Sequence, residues 1–188
     1  MRTREALRSA FLELLEVKPL GQITIRDISK AAGVGYVTFF RHHPSKEALL
    51  NEVAADQIRQ LVRLTLPVLD AHDTRAASVA LCTYVDEHRK LWSTLLTGGA
   101  AGTLREEFVR TSRKVAGQRS SPDNWLPPDI GVILAVSSTI ELLAWWLRQK
   151  RPAPIARVAE IHDRIIIAPL IDASKPVTRK VVRKRKVT

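Results

Sequence analysis

Tyr36, Thr38, Arg41, His42 and Lys46 crowd into one short stretch, AGVGYVTFFRHHPSKEALL, from Ala32 to Leu50. Aromatic rings, a hydroxyl, imidazoles and cations are the groups that meet phosphate oxygens and base edges. They do not add up to a nucleophile with its base. Nor do they make a metal site: neighbouring histidines such as His42 and His43 point about 100° apart on a helix. The chain has one cysteine and no His-Glu-x-x-His pattern. Cys82 lies on an apolar face without an activating partner, which reads as a buried thiol. No metal and no cofactor is implied.

The elements that must position this stretch are helical. Arg2 to Val17 carries Leu7, Ala10, Phe11, Leu14 and Leu15 at the spacing of one helix face. Pro19 and Gly21 end it. Thr24 has the position of an N-cap, with Asp27 three residues on, and Ile25, Ile28 and Ala31 are expected to face inward. Gly33 falls where a helix closes with a left-handed residue, and Tyr36 to Arg41 makes a short third helix. Three helices with a tight glycine turn between the second and third describe a helix-turn-helix. Its small core would hold Phe11, Leu14, Leu15, Ile23, Ile28, Ala31, Val34 and Phe39. The exposed face would carry Tyr36, Val37, Thr38 and Arg41.

Ser45 starts a long helix expected to break at Pro67. Further helices follow from Asp73 to about His88, at KLWSTLLTGG, from Thr103 to Ala116, from Pro128 to about Lys150 and from Ile155 to Leu170. No run alternates as a strand does, so the fold class is all-α. The domains read as 1–48, 49–171 and a basic tail, 172–188.

Formal charge is +11, but seven of the 30 Lys and Arg lie between Ala173 and Thr188. Without them 23 basic residues face 19 acidic ones, a net of +4. Global charge is thus a weak argument for a nucleic-acid partner, and the tail is a candidate for sequence-independent phosphate contact. A single cysteine and an amphipathic, charged N-terminus fit a cytoplasmic chain. Ile130 to Leu147 approaches the length of a membrane span. Glu141 inside it, beside Ser137, Ser138 and Thr139, favours a helix buried in protein, with no membrane partner.

The segment ITIRDISKAAGVGYVTFFRHHPSKEALLNEV resembles the DNA-binding domain of the TetR family of bacterial transcriptional regulators. Thr24, Ile28, Ala32, Gly33, Val34, Thr38, Phe39, Ser45, Lys46, Glu47 and Leu49 carry the likeness over about fifty residues. The resemblance implies double-stranded DNA contacts from Thr24, Tyr36, Val37, Thr38, Phe40, Arg41, His42 and Lys46, the last to a phosphate. Four positions depart from the family pattern. Gly35 stands for a serine cap, Val37 for glycine, Phe40 for a phosphate-binding tyrosine and His43 for a packed phenylalanine. Val37 thereby gains methyl groups able to meet thymine.

The family plan also implies a homodimer through the last two long helices and a small-molecule effector in the second domain. Ligand-pocket candidates are Cys82, Trp92, Leu95, Phe108, Trp125, Glu141 and Trp145. Dimer-interface candidates are Ile133, Ser138, Glu141, Trp145, Val158, Ile161 and Ile165. Glu141 reads as buried among Ile140, Leu142 and Leu143, and therefore paired, either with an effector or across the dimer with Arg148 or Arg164. The resulting expectation is a non-enzymatic, ligand-responsive regulator, a repressor on a palindromic operator. The alternative is an architectural DNA-binding protein that works through its basic tail.

Overall fold

The structure, a computed structural model, describes residues 2–70, 73–97, 100–117 and 126–173. Trp125 and the basic tail from position 174 lie outside them. The elements are α1 (Arg2–Val17), a 3-10 turn (Leu20–Gln22), α2 (Ile25–Ala31), α3 (Tyr36–His42), α4 (Lys46–Asp70), α5 (Thr74–Glu87), α6 (Arg89–Thr97), α7 (Ala101–Gly117), α8 (Pro128–Arg148), α9 (Ile155–Ile161), a π-helical segment (His162–Ile167) and α10 (Ala168–Ala173). There is no strand among the described residues.

Local chemistry sets the boundaries around α2 and α3. The Thr24 hydroxyl accepts from the Asp27 N–H at 3.1 Å, while the Asp27 carboxylate accepts from the Thr24 N–H at 2.9 Å. This reciprocal pair satisfies two donors that a helix start leaves open. The Thr24 backbone bond, then the Thr24 hydroxyl and Lys18, hold the Asp27 carboxyl down at about 2. At the other end Val34 N–H reaches Ser29 O at 2.9 Å and Gly33 N–H reaches Lys30 O at 3.2 Å. Gly33 closes this turn at φ +65°, a conformation that a side chain would strain.

Leu7, Phe11, Leu15, Ile23, Ile28, Phe39, Leu49 and Leu50 are buried and join the helical domain in one continuous core. Ala31, expected inside, is exposed: the helix turns it to the face opposite Ile28. The Ser45 hydroxyl accepts from the Ala48 N–H at 3.1 Å and caps α4. Pro67 does not end α4, which continues to Asp70. Pro67 and Arg63, whose carbonyl is left without an N–H, are both exposed residues, and packing of α4 on α5 and α7 carries the helix through.

In the helical domain, α5, α8 and the π segment meet around a buried polar chain. His162 Nδ1 is 2.8 Å from Ser78 Oγ, and His162 Nε2 is 3.0 Å from Thr139 Oγ1. Ser78 donates its own hydroxyl hydrogen to Thr74 O at 2.9 Å. It therefore accepts from Nδ1–H, and Nε2 accepts from Thr139, which satisfies a neutral imidazole on both sides. Burial pushes the His162 pKa down from 6.5 to about 4.

A group that binds its proton less readily when folded favours unfolding in acid. The contribution is intact above pH 6.5 and is lost as pH falls toward 4, over which range it amounts to about 3 kcal/mol. Urea unfolding at pH 7 and pH 4.5 is expected to show this loss in the wild type and a smaller one in His162→Asn. Equal losses would remove His162 as the cause.

Candidate functional site

The short helix α3 buries Phe39 completely and turns its other side outward. Tyr36 is 48% exposed, Val37 69% and Phe40 44%, with Arg41 and His42 also exposed and Thr38 half-buried beside the Gly35 cap. Tyr36 and Phe40 meet edge to face at 5.3 Å, and Phe40 meets Phe39 at 5.4 Å. The exposed rings are thereby anchored through Phe40 to the buried one. Thr24 is exposed at the α2 cap, where its hydroxyl is already engaged with Asp27. A helix face of apolar, aromatic and cationic side chains on a projecting turn matches what the major groove accepts.

The sequence reading missed Arg26. It is exposed on α2, and its guanidinium lies over the Tyr36 ring at 5.8 Å. This places a second cation beside the reading face, with Lys30 exposed on the same helix. Two residues ten apart in a helix-turn-helix meet only through the turn angle, so spacing alone did not reveal the pair.

Lys46 is also engaged within the fold. Its ammonium donates to Leu20 O and Ile23 O, each at 2.9 Å, and so closes the carbonyls around the 3-10 turn. Two of its three N–H bonds thus hold the start of α4 to the segment that leads into α2. This bonding gives Lys46 a positioning role and leaves one N–H of the ammonium for a further acceptor.

His43 takes the packed position as a buried residue, 5.8 Å from the Phe39 ring, with Nδ1 3.5 Å from Glu52. Burial lowers its pKa, although the Glu52 charge works the other way. Glu52 in turn receives Arg4 through contacts of 2.6 to 3.1 Å. The ion pairs continue along α4. Asp56 pairs with Arg8 and Arg59, and Arg59 reaches Glu107 on α7 at 3.0 Å.

Among the pocket candidates, Cys82, Trp92 and Leu95 are fully buried in the shared core and Phe108 packs partly against it. Burial raises the Cys82 thiol to about 12, so it is not a thiolate nucleophile. Glu141 and Trp145 do not join them: both are exposed on the outer side of α8. The expectation that Glu141 is buried fails because the exposed stripe of α8 runs through Ile130, Leu134, Ser138, Glu141 and Trp145, at helical spacing. That helix is long and apolar enough to cross a membrane by length and composition.

Of the interface candidates, Ser138, Glu141, Trp145 and Ile165 are exposed, and Ile133 and Ile161 are half-buried. Val158 is wholly buried against the chain's own core, so it packs within the protomer. Among the described residues no group of three His, Cys, Asp or Glu side chains is placed to hold a metal ion.

Residues 7–53 match the family model of bacterial regulatory proteins of the tetR family. This segment is a TetR-family DNA-binding domain. Over 63 residues the chain is 36% identical to the uncharacterized HTH-type transcriptional regulator YxbF of Bacillus subtilis, a match covering 33% of this chain and 17% of that protein's length. Solved structures are similar over most of the chain. A TetR transcriptional regulator from Streptococcus agalactiae has a TM-score of 0.60 at 24% identity, covering 92% of this chain and 94% of its own. Thermus thermophilus FadR in complex with lauroyl-CoA has a TM-score of 0.63 at 17% identity, covering 98% of each. RolR in complex with resorcinol has 0.63 at 20%, covering 94% of this chain and 93% of its own. At these identities the likeness shows that the TetR-family fold extends through the helical domain.

Lys46→Met separates positioning from phosphate contact. Loss of two charge-assisted hydrogen bonds is expected to lower stability by about 2 kcal/mol and to weaken DNA binding. The slope of log affinity against log salt should stay unchanged. A slope smaller by roughly 0.9 would mean that Lys46 neutralises a phosphate after all.

Proposed function

We propose that the chain is a homodimeric, ligand-responsive transcriptional repressor that binds a palindromic operator and is released by a small molecule. The observation that carries this reading is the TetR-type α3, whose exposed Tyr36, Val37, Phe40 and Arg41 stand on a core continuous with a helical domain. On this reading the Val37 methyl groups meet thymine by direct readout, and Arg41 lies along the phosphate backbone. Two copies related by a two-fold axis would place two such helices on half-sites at a separation set by the dimer. Such a protein would act in the cytoplasm, where bacterial DNA is.

Dimerisation is supported by the outer stripe of α8. Ile130, Leu134 and Trp145 are each nearly half exposed, and Ile165 on the π segment is 72% exposed. Burying such residues against a second copy removes apolar area from water. Glu141 lies within that stripe with no hydrogen bond or ion pair to another described residue. A pair with Arg148 or Arg164 of a second copy would satisfy it there; within the chain, Arg164 is held by Glu160 at 3.1 Å.

Effector control is supported by links between the domains. Lys90 on α6 donates to Glu16 O in the last turn of α1 at 2.7 Å, and Arg59 joins α4 to Glu107 on α7. A molecule that favours one arrangement of α6 and α7 would bias the DNA-binding helices through these contacts, provided its affinity differs between the two states. FadR with lauroyl-CoA and RolR with resorcinol are relatives in fold that hold small molecules.

Selection from a random DNA duplex pool at moderate salt tests the reading. A two-fold symmetric motif is expected, and Val37→Gly should relax preference at a thymine position, where each lost contact is worth about 1–3 kcal/mol of discrimination. Enrichment of no motif would leave the tail as the main contact, which favours the architectural alternative.

A further inference from the structure

Arg26 and Tyr36 stand at matching ends of their helices, Arg26 in the first turn of α2 and Tyr36 at the first position of α3. The turn brings these two ends together, with the guanidinium over the Tyr36 ring at 5.8 Å from its centre. Arg26 is exposed and makes no hydrogen bond or ion pair to another described residue. Its neighbour in sequence, the acid Asp27, is held by Thr24 and Lys18. Lys30, one turn further along α2, is also exposed and carries the same charge. What orients the guanidinium is the face of the ring.

The ring is itself fixed. Tyr36 meets Phe40 edge to face at 5.3 Å, and Phe40 meets Phe39 at 5.4 Å. Phe39 has no exposed surface. Stacked contacts thus run from the core, through Phe40 and Tyr36, to the guanidinium.

This arrangement bears on what each side chain does at DNA. A free arginine samples many rotamers and must be ordered when it binds, which costs affinity. A guanidinium already lying on a ring loses less, and its N–H groups stay open to acceptors. Recognition helices meet base edges through their N-terminal residues, so Arg26 is held beside the end of α3 that would enter the groove. Its planar fork of donors matches the paired acceptors O6 and N7 of guanine, a pair that no other base presents in the major groove.

We infer that Arg26 reads a guanine beside the base pairs met by α3, and that Tyr36 is a positioning residue that aims it. The inference rests on the reading of α3 as the DNA-contacting helix. It adds a base to the half-site and a division of labour between the two side chains.

The operator recovered by duplex selection with the full-length protein is the probe. Affinities for it and for each single-base-pair variant are measured with the wild type, Arg26→Gln, Tyr36→Phe, Tyr36→Leu and the Arg26→Gln/Tyr36→Leu pair. The wild type is expected to prefer guanine about tenfold or more at one position of each half-site. Arg26→Gln should lose that preference and keep the others. Tyr36→Phe retains the ring and should retain the preference, whereas Tyr36→Leu should reduce it roughly two- to fivefold. In the Arg26→Gln background, Tyr36→Leu should change nothing further at that base pair.

An equal loss on all sequences in Arg26→Gln, with a smaller salt slope, would make Arg26 a phosphate contact and overturn the proposal. Full guanine preference in Tyr36→Leu, or additive losses in the pair, would remove the aiming role. Loss of the preference in Tyr36→Phe would make the hydroxyl the reader instead. A wild-type motif without such a guanine sinks this inference and leaves a site-specific regulator standing. If the wild type selects no motif, that reading falls as well.

Discussion

The DNA-facing surface depends on the burial of one side chain, Phe39. A helix of seven residues does not hold itself in water, so α3 takes its orientation from what it buries. Phe39 is fully buried in α3, within the same core as Leu7, Phe11, Ile28 and Leu49. With that ring fixed inside, the helical period places Tyr36, Val37 and Phe40 outside. The left-handed turn at Gly33 then sets the angle at which α3 leaves α2. Phe39→Ala would remove a large buried ring and with it the reason for α3 to keep this rotation.

The same core runs without interruption from the N-terminal helices into the helical domain. Over it lies a line of charges: Arg4 and Arg8 on α1, Glu52, Asp56 and Arg59 on α4, then Glu107 and Arg110 on α7. Single surface pairs contribute little. Here, however, Glu52, Asp56, Arg59 and Glu107 each serve two or more partners, which makes α4 the strut between the reading helix and α7. Lys46 fixes the lower end of that strut to the turn ahead of α2. The exposed face of α3 and the helical domain therefore share their supports.

Much of this was legible in the residues. Apolar spacing gave the helices, Thr24 and Asp27 gave the cap, and Gly33 gave the turn, because each is a contact within a few positions. What the residues did not reveal was tertiary. The carbonyl partners of Lys46 lie 26 and 23 residues earlier in the chain, at Leu20 and Ile23. Hydropathy alone cannot distinguish an apolar face packed in the chain from one left outward, so Glu141 read as buried and Val158 as part of a dimer interface. Pro67 was read by its local rule, whereas helix packing decided the outcome. The π segment carried no recognisable pattern, and Arg26 met Tyr36 only after the turn had folded.

The central claim is that α3, held by Phe39, is what contacts operator DNA. Backbone amide shifts of the full chain, measured on titration with the selected operator duplex, test it most directly. The account predicts the largest changes across residues 35–42 and around Arg26, with smaller ones near Lys46. Changes confined to residues 175–188, with α3 undisturbed, would contradict it.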